Sequence, residues 1–220
     1  MCGRFVLIAD PAEIYEQFEL PMLPEVQPRY NIAPTQSVPV IVNQGGRALH
    51  YYRWGLIPSW AKDPQIGSRM INARAETVAE KPAFRAAFKR RRCIVPCSGF
   101  YEWQQRKAGK VPMYIHLRDQ PLFGFAGLWE IWNDPSSEEV RSFTIITTEA
   151  NAMMREIHDR MPVILQPEHY ATWLQSEDVP QSTLQELLRP YAADRMVAYE
   201  VSKLVNRPAV DSPACIAPVG

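Results

Sequence analysis

No stretch of the 220-residue chain approaches 18 consecutive apolar residues, so nothing in it reads as a membrane-spanning helix. Charge of one sign is not in excess, with 24 basic residues against 24 acidic ones. Overall electrostatic steering toward nucleic acid is therefore not expected, and any such contact has to come from a local patch. Cysteine is scarce: Cys2, Cys93, Cys97 and Cys215 are all there are. Cys93 and Cys97 form one C-x3-C pair, but no second pair completes a four-thiolate zinc site. His50, His116, His158 and His169 lack convincing metal-ligand spacing. G-x-G-x-x-G, G-K-S/T, H-E-x-x-H and G-x-S-x-G are all missing. So is a basic region followed by an apolar run at the start of the sequence. These absences lead us to expect a cytoplasmic chain with reduced thiols, no metal and no cofactor.

What is present starts at the second residue. If Met1 is removed, Cys2 carries a free α-amine and a thiol on adjacent carbons. An α-amine has an unperturbed pKa of about 7.7–8.0, so it is partly neutral in the cell. It can attack an aldehyde to form a Schiff base, and the thiol can close onto the imine carbon to give a thiazolidine. A small buried hydrophobe, or an incidental residue in a frayed terminus, are the plainer readings of Cys2.

Along the chain, Val6-Leu7 reads as part of a short strand. Asp10-Pro11 reads as a helix start, with Pro21 and Pro24 ending that helix. Residues 28–35 read as a loop. Val38–Val42 and Ala48–Trp54 read as a hairpin around residues 43–46. Trp54–Trp60 is expected to be a shaped loop, and Met70–Thr77 a lining surface with polar residues set among small ones. A helix follows at Pro82–Lys89, then a buried strand at Cys93–Cys97. Val111–Leu117 and Leu122–Trp129 are expected to form a meander, with a polar hairpin loop at Trp132–Glu139. Arg141–Thr147 and Met196–Val201 are further strands. Glu149–Met154 is a helical turn, and Glu168–Leu174 and Ser182–Leu188 are short helices. Many short strands with long connections predict an α+β fold. It would be a single domain with a distorted antiparallel β-barrel-like core and peripheral helices, spanning 2–206. The proline-rich residues 207–220 are expected to be a loosely ordered C-terminal tail.

Three features have two readings each. Lys81, Arg85, Lys89, Arg90, Arg91 and Arg92 are either a solvated helix end or a phosphate-contacting patch. Glu102, between Tyr101 and Trp103, is either exposed on an alternating strand or buried with a raised pKa suited to proton shuttling. His158 is either structural or a neutral-pH proton carrier.

Seven stretches carry a resemblance. They are Met1-Cys2-Gly3-Arg4-Phe5, residues 29–35 (RYNIAPT), 54–58 (WGLIP), 72–77 (NARAET), 92–96 (RCIVP), 99–103 (GFYEW) and 158–165 (HDRMPVIL). In this order, over roughly 2–206, they resemble the SRAP family (SOS response-associated peptidase). The resemblance implies binding to single-stranded DNA, or to a single-strand/duplex junction. It implies capture of an abasic site as a covalent thiazolidine crosslink that protects the lesion, with lyase-type Schiff-base chemistry and self-processing at the N-terminus. It carries over Cys2, Asn72, Glu102 and His158 as catalytic residues. It also implies phosphate contacts from Arg74 and more weakly from Arg4, and bases packed near Trp54 and Ile57. Arg85 joins the DNA-binding set from the basic cluster. The expected state is a monomer, nucleoid-associated when acting. Residues 206–209 (NRPA) stand where the family more usually has paired asparagines. Two other readings stand beside this one: a cysteine peptidase with Cys2 as nucleophile, and a non-covalent single-stranded DNA binding module.

Overall fold

A computed structural model describes residues 2–133, 139–175 and 179–219. Its strands in chain order are β1 (Phe5–Leu7), β2 (Arg29–Ile32), β3 (Ser37–Asn43), β4 (Arg47–Trp54), β5 (Asn72–Arg74), β6 (Arg92–Cys97) and β7 (Gly99–Arg106). Then come β8 (Gly109–Leu117), β9 (Phe123–Asn133), β10 (Glu139–Glu149), β11 (Arg160–Pro162), β12 (Ile164–Leu165) and β13 (Met196–Glu200). The α-helices are α1 (Pro11–Gln17), α2 (Arg85–Arg90), α3 (Ala152–Arg155), α4 (Tyr170–Leu174) and α5 (Gln181–Glu186).

Five strands close on themselves. β3 pairs with β4 and β6, β6 with β9, and β9 with β10. β10 then returns to β4 through Ser142↔Arg53 and Phe143↔Trp54. That closing pair is parallel and the other four are antiparallel, so the expected α+β fold with a barrel-like core is present with one parallel seam. Closure removes the exposed edges that an open sheet would leave. β5 adds to β10 in parallel, and β11 and β12 extend the ring along β10 and β9.

The second sheet has the order β13-β8-β7-β1-β2. Alternation gives it two different faces. Phe5, Phe100, Met113 and Ile115 join the main core with the barrel. Val6, Tyr101 and Tyr114 point the other way, into a second cluster with Val201, Val205 and Cys215. Phe5 and Phe100 both meet Phe125 of β9 edge-on, at 6.0 and 5.8 Å. Each such buried ring is worth roughly 1.5–3 kcal/mol by burial alone. α1 begins as its sequence dictates. The Asp10 side chain accepts from Ala12 N at 2.8 Å, and Glu13 accepts from Asp10 N at 2.8 Å. Such a box stabilises a helix start by about 1 kcal/mol.

Several expectations are corrected. Arg29–Ile32 is strand β2 rather than loop, because β1 offers it an edge through Phe5↔Ile32. β8 and β9 are not neighbours: β8 pairs with β7 and β13, and β9 with β6, β10 and β12. Apolar alternation marks a strand but does not name its partner. The hairpin loop expected over 132–139 is strand at both ends, and 134–138 lie outside the described residues. The segment after 206 is docked rather than loose. Cys215 is fully buried, Val219 N donates to Glu200 O at 3.0 Å, and Asp211 holds the start of β2. It lies there because the outer face of the second sheet is apolar and needs a cover.

Candidate active site

Cys2 is placed by the strand that follows it. β1 runs antiparallel to β7 in the register Phe5↔Phe100 and Val6↔Gly99, and Tyr101 N donates to Arg4 O at 3.0 Å. Walking back from Phe5 to Cys2 and forward from Phe100 to Glu102 therefore leads to the same end of the sheet. Cys2 is fully buried and Glu102 is 2% exposed. Burial, and then the charge of Glu102, push the Cys2 thiol far above its ordinary range. Burial also raises the Glu102 carboxyl, and His158 is among the charges that oppose the rise. Desolvation disfavours each charged form, and the mutual influence shows that the three groups share one electrostatic neighbourhood. Burial thus disfavours the thiolate of Cys2.

Glu102 and His158 both line a cleft of about 610 Å³, with Trp103, Lys110 and Asn206 as its other walls. His158 arrives from the end of α3. Asn151 caps that helix, its Oδ1 accepting from Met154 N at 2.8 Å, and His158 N donates to Met154 O at 2.7 Å. The ring Nδ1 lies 3.0 Å from Arg160 N and 2.8 Å from Asp159 Oδ1. Those contacts belong to different ring states. A bare Nδ1 accepts from Arg160 N–H, which leaves the proton of the neutral ring on Nε2. A protonated Nδ1 donates to Asp159. The ring thus has a partner in either state, which suits a proton carrier. Arg160 is itself held by both oxygens of Glu76, at 2.5 and 3.0 Å, and by Thr147 O at 2.7 Å.

Asn72 and Arg74 come from β5, which pairs with β10 at Ile145↔Asn72 and Thr147↔Arg74. β11, just after His158, pairs with the same end of β10 at Thr147↔Pro162. Thr147 is thus flanked by Arg74 on one side and by the His158 segment on the other. Asn72 Nδ2 reaches Ile145 O only at 3.5 Å, and its Oδ1 is buried without a hydrogen-bond partner. A buried acceptor left open costs stability.

The remaining site candidates are scattered. Trp54 and Ile57 are buried, with 0% and 2% exposure. The Trp54 ring meets Phe5 at 5.2 Å and Phe143 at 6.3 Å, and its Nε1 donates to Ile71 O at 3.0 Å. Neither residue presents a face to a base, so their place is in the wall behind the loop. The exposed aromatic of that segment is Trp60, at 59%. It shares a hollow with Lys62 and Arg69. Arg4 is committed internally, with Nη1 donating to Asn31 Oδ1 at 2.7 Å and Val205 O at 2.6 Å, and its guanidinium 5.8 Å above the Trp103 ring. The basic cluster splits. Arg92 is buried and donates to the carbonyls of Phe88, Lys89, Trp173 and Gln175. Arg91 pairs with Glu130 at 2.6 Å, while Arg85 on α2 is exposed. Cys93 and Cys97 are buried thiols that desolvation keeps protonated. Among the described residues no group of three or more His, Cys, Asp or Glu could hold a metal, and no helix is long and apolar enough to cross a membrane.

A buried second-position cysteine close to a buried carboxylate, with a histidine facing the same carboxylate, sits where the second sheet meets the barrel core. The chain belongs to the SOS response associated peptidase (SRAP) family, whose profile matches residues 1–208. It is 50% identical over 221 residues to the abasic site processing protein YoqW of Bacillus subtilis, covering 98% of this chain and 99% of that one. The abasic site processing protein HMCES of Xenopus tropicalis is 33% identical over 225 residues, covering 88% of this chain and 67% of the other. A crystal structure of a Bacteroides thetaiotaomicron protein superposes with a TM-score of 0.90 at 28% identity, covering 99% of this chain and 100% of that one.

Proposed function

We propose that this protein captures abasic sites in single-stranded DNA by crosslinking them covalently to Cys2. The observation that carries this is the closeness of Cys2 and Glu102 at one end of the second sheet, with His158 near Glu102 and opening with it on one cleft. The names of the relatives agree with it.

Removal of Met1 frees the Cys2 α-amine. The abasic sugar opens to an aldehyde at C1′, with His158 moving a proton at the ring oxygen. The amine adds to the aldehyde carbon to give a carbinolamine. Glu102, whose burial favours its protonated form, gives a proton to the departing hydroxyl. Water leaves and an N-protonated imine remains, with Glu102 now a carboxylate. The thiol then adds to the imine carbon: a carbon–sulfur bond forms, the C=N electron pair returns to nitrogen, and the thiol proton passes to the Glu102 carboxylate. One water is lost overall. A buried thiol needs this acceptor, because it does not ionise by itself. Asn72 Oδ1 orients the amine or a sugar hydroxyl, and small misplacements there are costly.

Phosphates are assigned to Arg74 and Arg85, and they position the strand without reading it. Duplex DNA has to unstack before its sugar reaches Cys2, so a single-stranded region or a junction with a single-stranded arm is the substrate. Binding weakens as salt rises.

Mixing the protein with an abasic oligonucleotide tests the proposal by denaturing electrophoresis and intact mass. The expected adduct has the mass of the protein without Met1 plus the oligonucleotide, less one water. An intact oligonucleotide gives none. Turnover of peptides with no DNA adduct would instead establish a cysteine peptidase, and equal binding of intact and abasic strands with no adduct a non-covalent module.

A further inference from the structure

We propose that the C-terminal segment Val205–Asp211 is a working part of the crosslinking site, holding the Cys2 end of β1 in place through Asn31 and Arg4, with Asn31 and Asp211 as positioning residues. This rests on the crosslinking reading above.

β1 has only three residues, and its pairing with β7 begins at Phe5. Strand pairing alone therefore leaves the first residues free to fray. Something else has to hold them if the amine is to meet an aldehyde in a productive geometry. Arg4, two residues from Cys2, is the handle. Its backbone carbonyl is bound by Tyr101 N, and its guanidinium bridges Asn31 Oδ1 and Val205 O. The planar fork of arginine loses less freedom in such a bridge than a lysine would.

Asn31 is fully buried and is held from both sides. Its Nδ2 donates to the carbonyls of Val205, Arg207 and Val210, at 3.3, 3.0 and 2.7 Å. Asp211 fastens the backbone beneath it, with Oδ1 accepting from Tyr30 N at 2.5 Å and Asn31 N at 3.1 Å, while Oδ2 pairs with Arg29. Two more bonds return from this assembly to β7, the strand of Glu102. Tyr101 OH donates to Tyr30 O at 2.7 Å, and Trp103 Nε1 donates to Asn206 Oδ1 at 2.7 Å. The segment thus grips Arg4 and Trp103 directly, and reaches Tyr101 through Tyr30, whose backbone N–H donates to Asp211. Asp211 lies past the end of the family match at residue 208.

The test compares Asp211→Ala and Asp211→Asn with the wild-type protein freed of Met1. Two quantities are measured: the crosslinking rate constant at saturating abasic oligonucleotide, and the Kd for an intact strand of the same sequence. Asp211→Ala is expected to lower the rate constant about tenfold with Kd unchanged, as positioning effects do. Asp211→Asn, which keeps an acceptor for both backbone N–H groups, is expected to recover most of it. A temperature series, with folding followed by circular dichroism, keeps the rate measurable on folded protein even if the alanine variant is unstable. A folded Asp211→Ala reacting at the wild-type rate overturns the inference. So does a loss that follows Kd, or an Asp211→Asn as slow as alanine. Absence of any adduct from the wild type defeats the crosslinking reading instead.

Discussion

Phe5 of β1 lies directly across from Phe100 of β7, and that single register brings the second residue of the chain to Glu102. Both rings point into the barrel core. A slip of one residue would turn Phe5 out of the core. The core thus enforces the register, and the register builds the site.

In the proposed mechanism the thiol closes the ring that stabilises the adduct against hydrolysis of the imine. Cys2→Ala keeps the amine and so can still form the imine, but it cannot close the ring. It is expected to leave no denaturation-resistant adduct and to nick abasic strands weakly by β-elimination. A gel showing a persistent adduct from this variant would rule out the thiazolidine.

The amine has to be free. A variant that retains Met1, or any tag left before Cys2, has its nitrogen in an amide and is expected to give no crosslink while still binding single strands. Mass spectrometry reads both the terminus and the adduct. Crosslinking by a protein whose every molecule retains an extension would remove the amine from the mechanism.

Glu102→Gln removes the proton carrier but not the shape. Adduct formation is expected to slow by about 10²–10⁴-fold, the usual worth of a general acid–base group, with DNA affinity little changed. Stability should move the opposite way. Burial raises the folded-state pKa of Glu102 above its unfolded value, so the folded state holds the proton longer. Wild-type stability then falls as pH rises from the ordinary glutamate value of about 4.3 through the folded pKa. Glu102→Gln does not titrate. It is expected to raise Tm relative to wild type at neutral pH, with the gap closing below the ordinary glutamate range. A gap independent of pH would contradict the raised pKa.

Gly55 has φ +124°, and a Cβ there would sit 2.5 Å from the backbone oxygen of Gly67. Neither strain is relieved by a rotamer change. Gly55→Ala is expected to cost about 2–4 kcal/mol in urea unfolding, from the strained backbone and the clash together. A change under about 0.5 kcal/mol, the range of an ordinary surface substitution, would mean that the loop from Trp54 to Pro58 is not packed as described.

The two ends of the basic cluster should behave differently. Arg85→Ala is expected to weaken single-strand binding and to lower the salt slope by about one, with Tm unchanged. Arg92→Ala leaves four carbonyl partners behind and is expected to destabilise the fold by about 2 kcal/mol or more, with the salt slope unchanged. Salt titrations paired with thermal melts separate them, and an Arg92→Ala with a reduced slope would return that residue to the DNA surface.

Much of this was legible along the chain. Asp10-Pro11 starts a helix wherever it stands, and the cysteine behind Met1 has two nucleophiles in any fold. Glu102 between Tyr101 and Trp103, and His158 before an apolar strand, stood out by local chemistry. The barrel pairing was not legible, because β8 and β9 alternate alike and only packing chose their partners. Nor was the fate of Trp54 and Arg4, since an aromatic or a cation in an irregular segment reads the same whether it faces DNA or the core.

The sequence by itself determined which reactive groups exist, the family and the strand-rich class, because these follow from residue identity and local pattern. Only the tertiary structure decided that Cys2, Glu102 and His158 share one neighbourhood, that burial disfavours the Cys2 thiolate, and that the final segment reaches back to the N-terminus through Asn31. Those depend on burial and on contacts between residues as far apart as Arg4 and Val205, separated by 201 positions, and such long-range contacts are settled only when the whole core is packed.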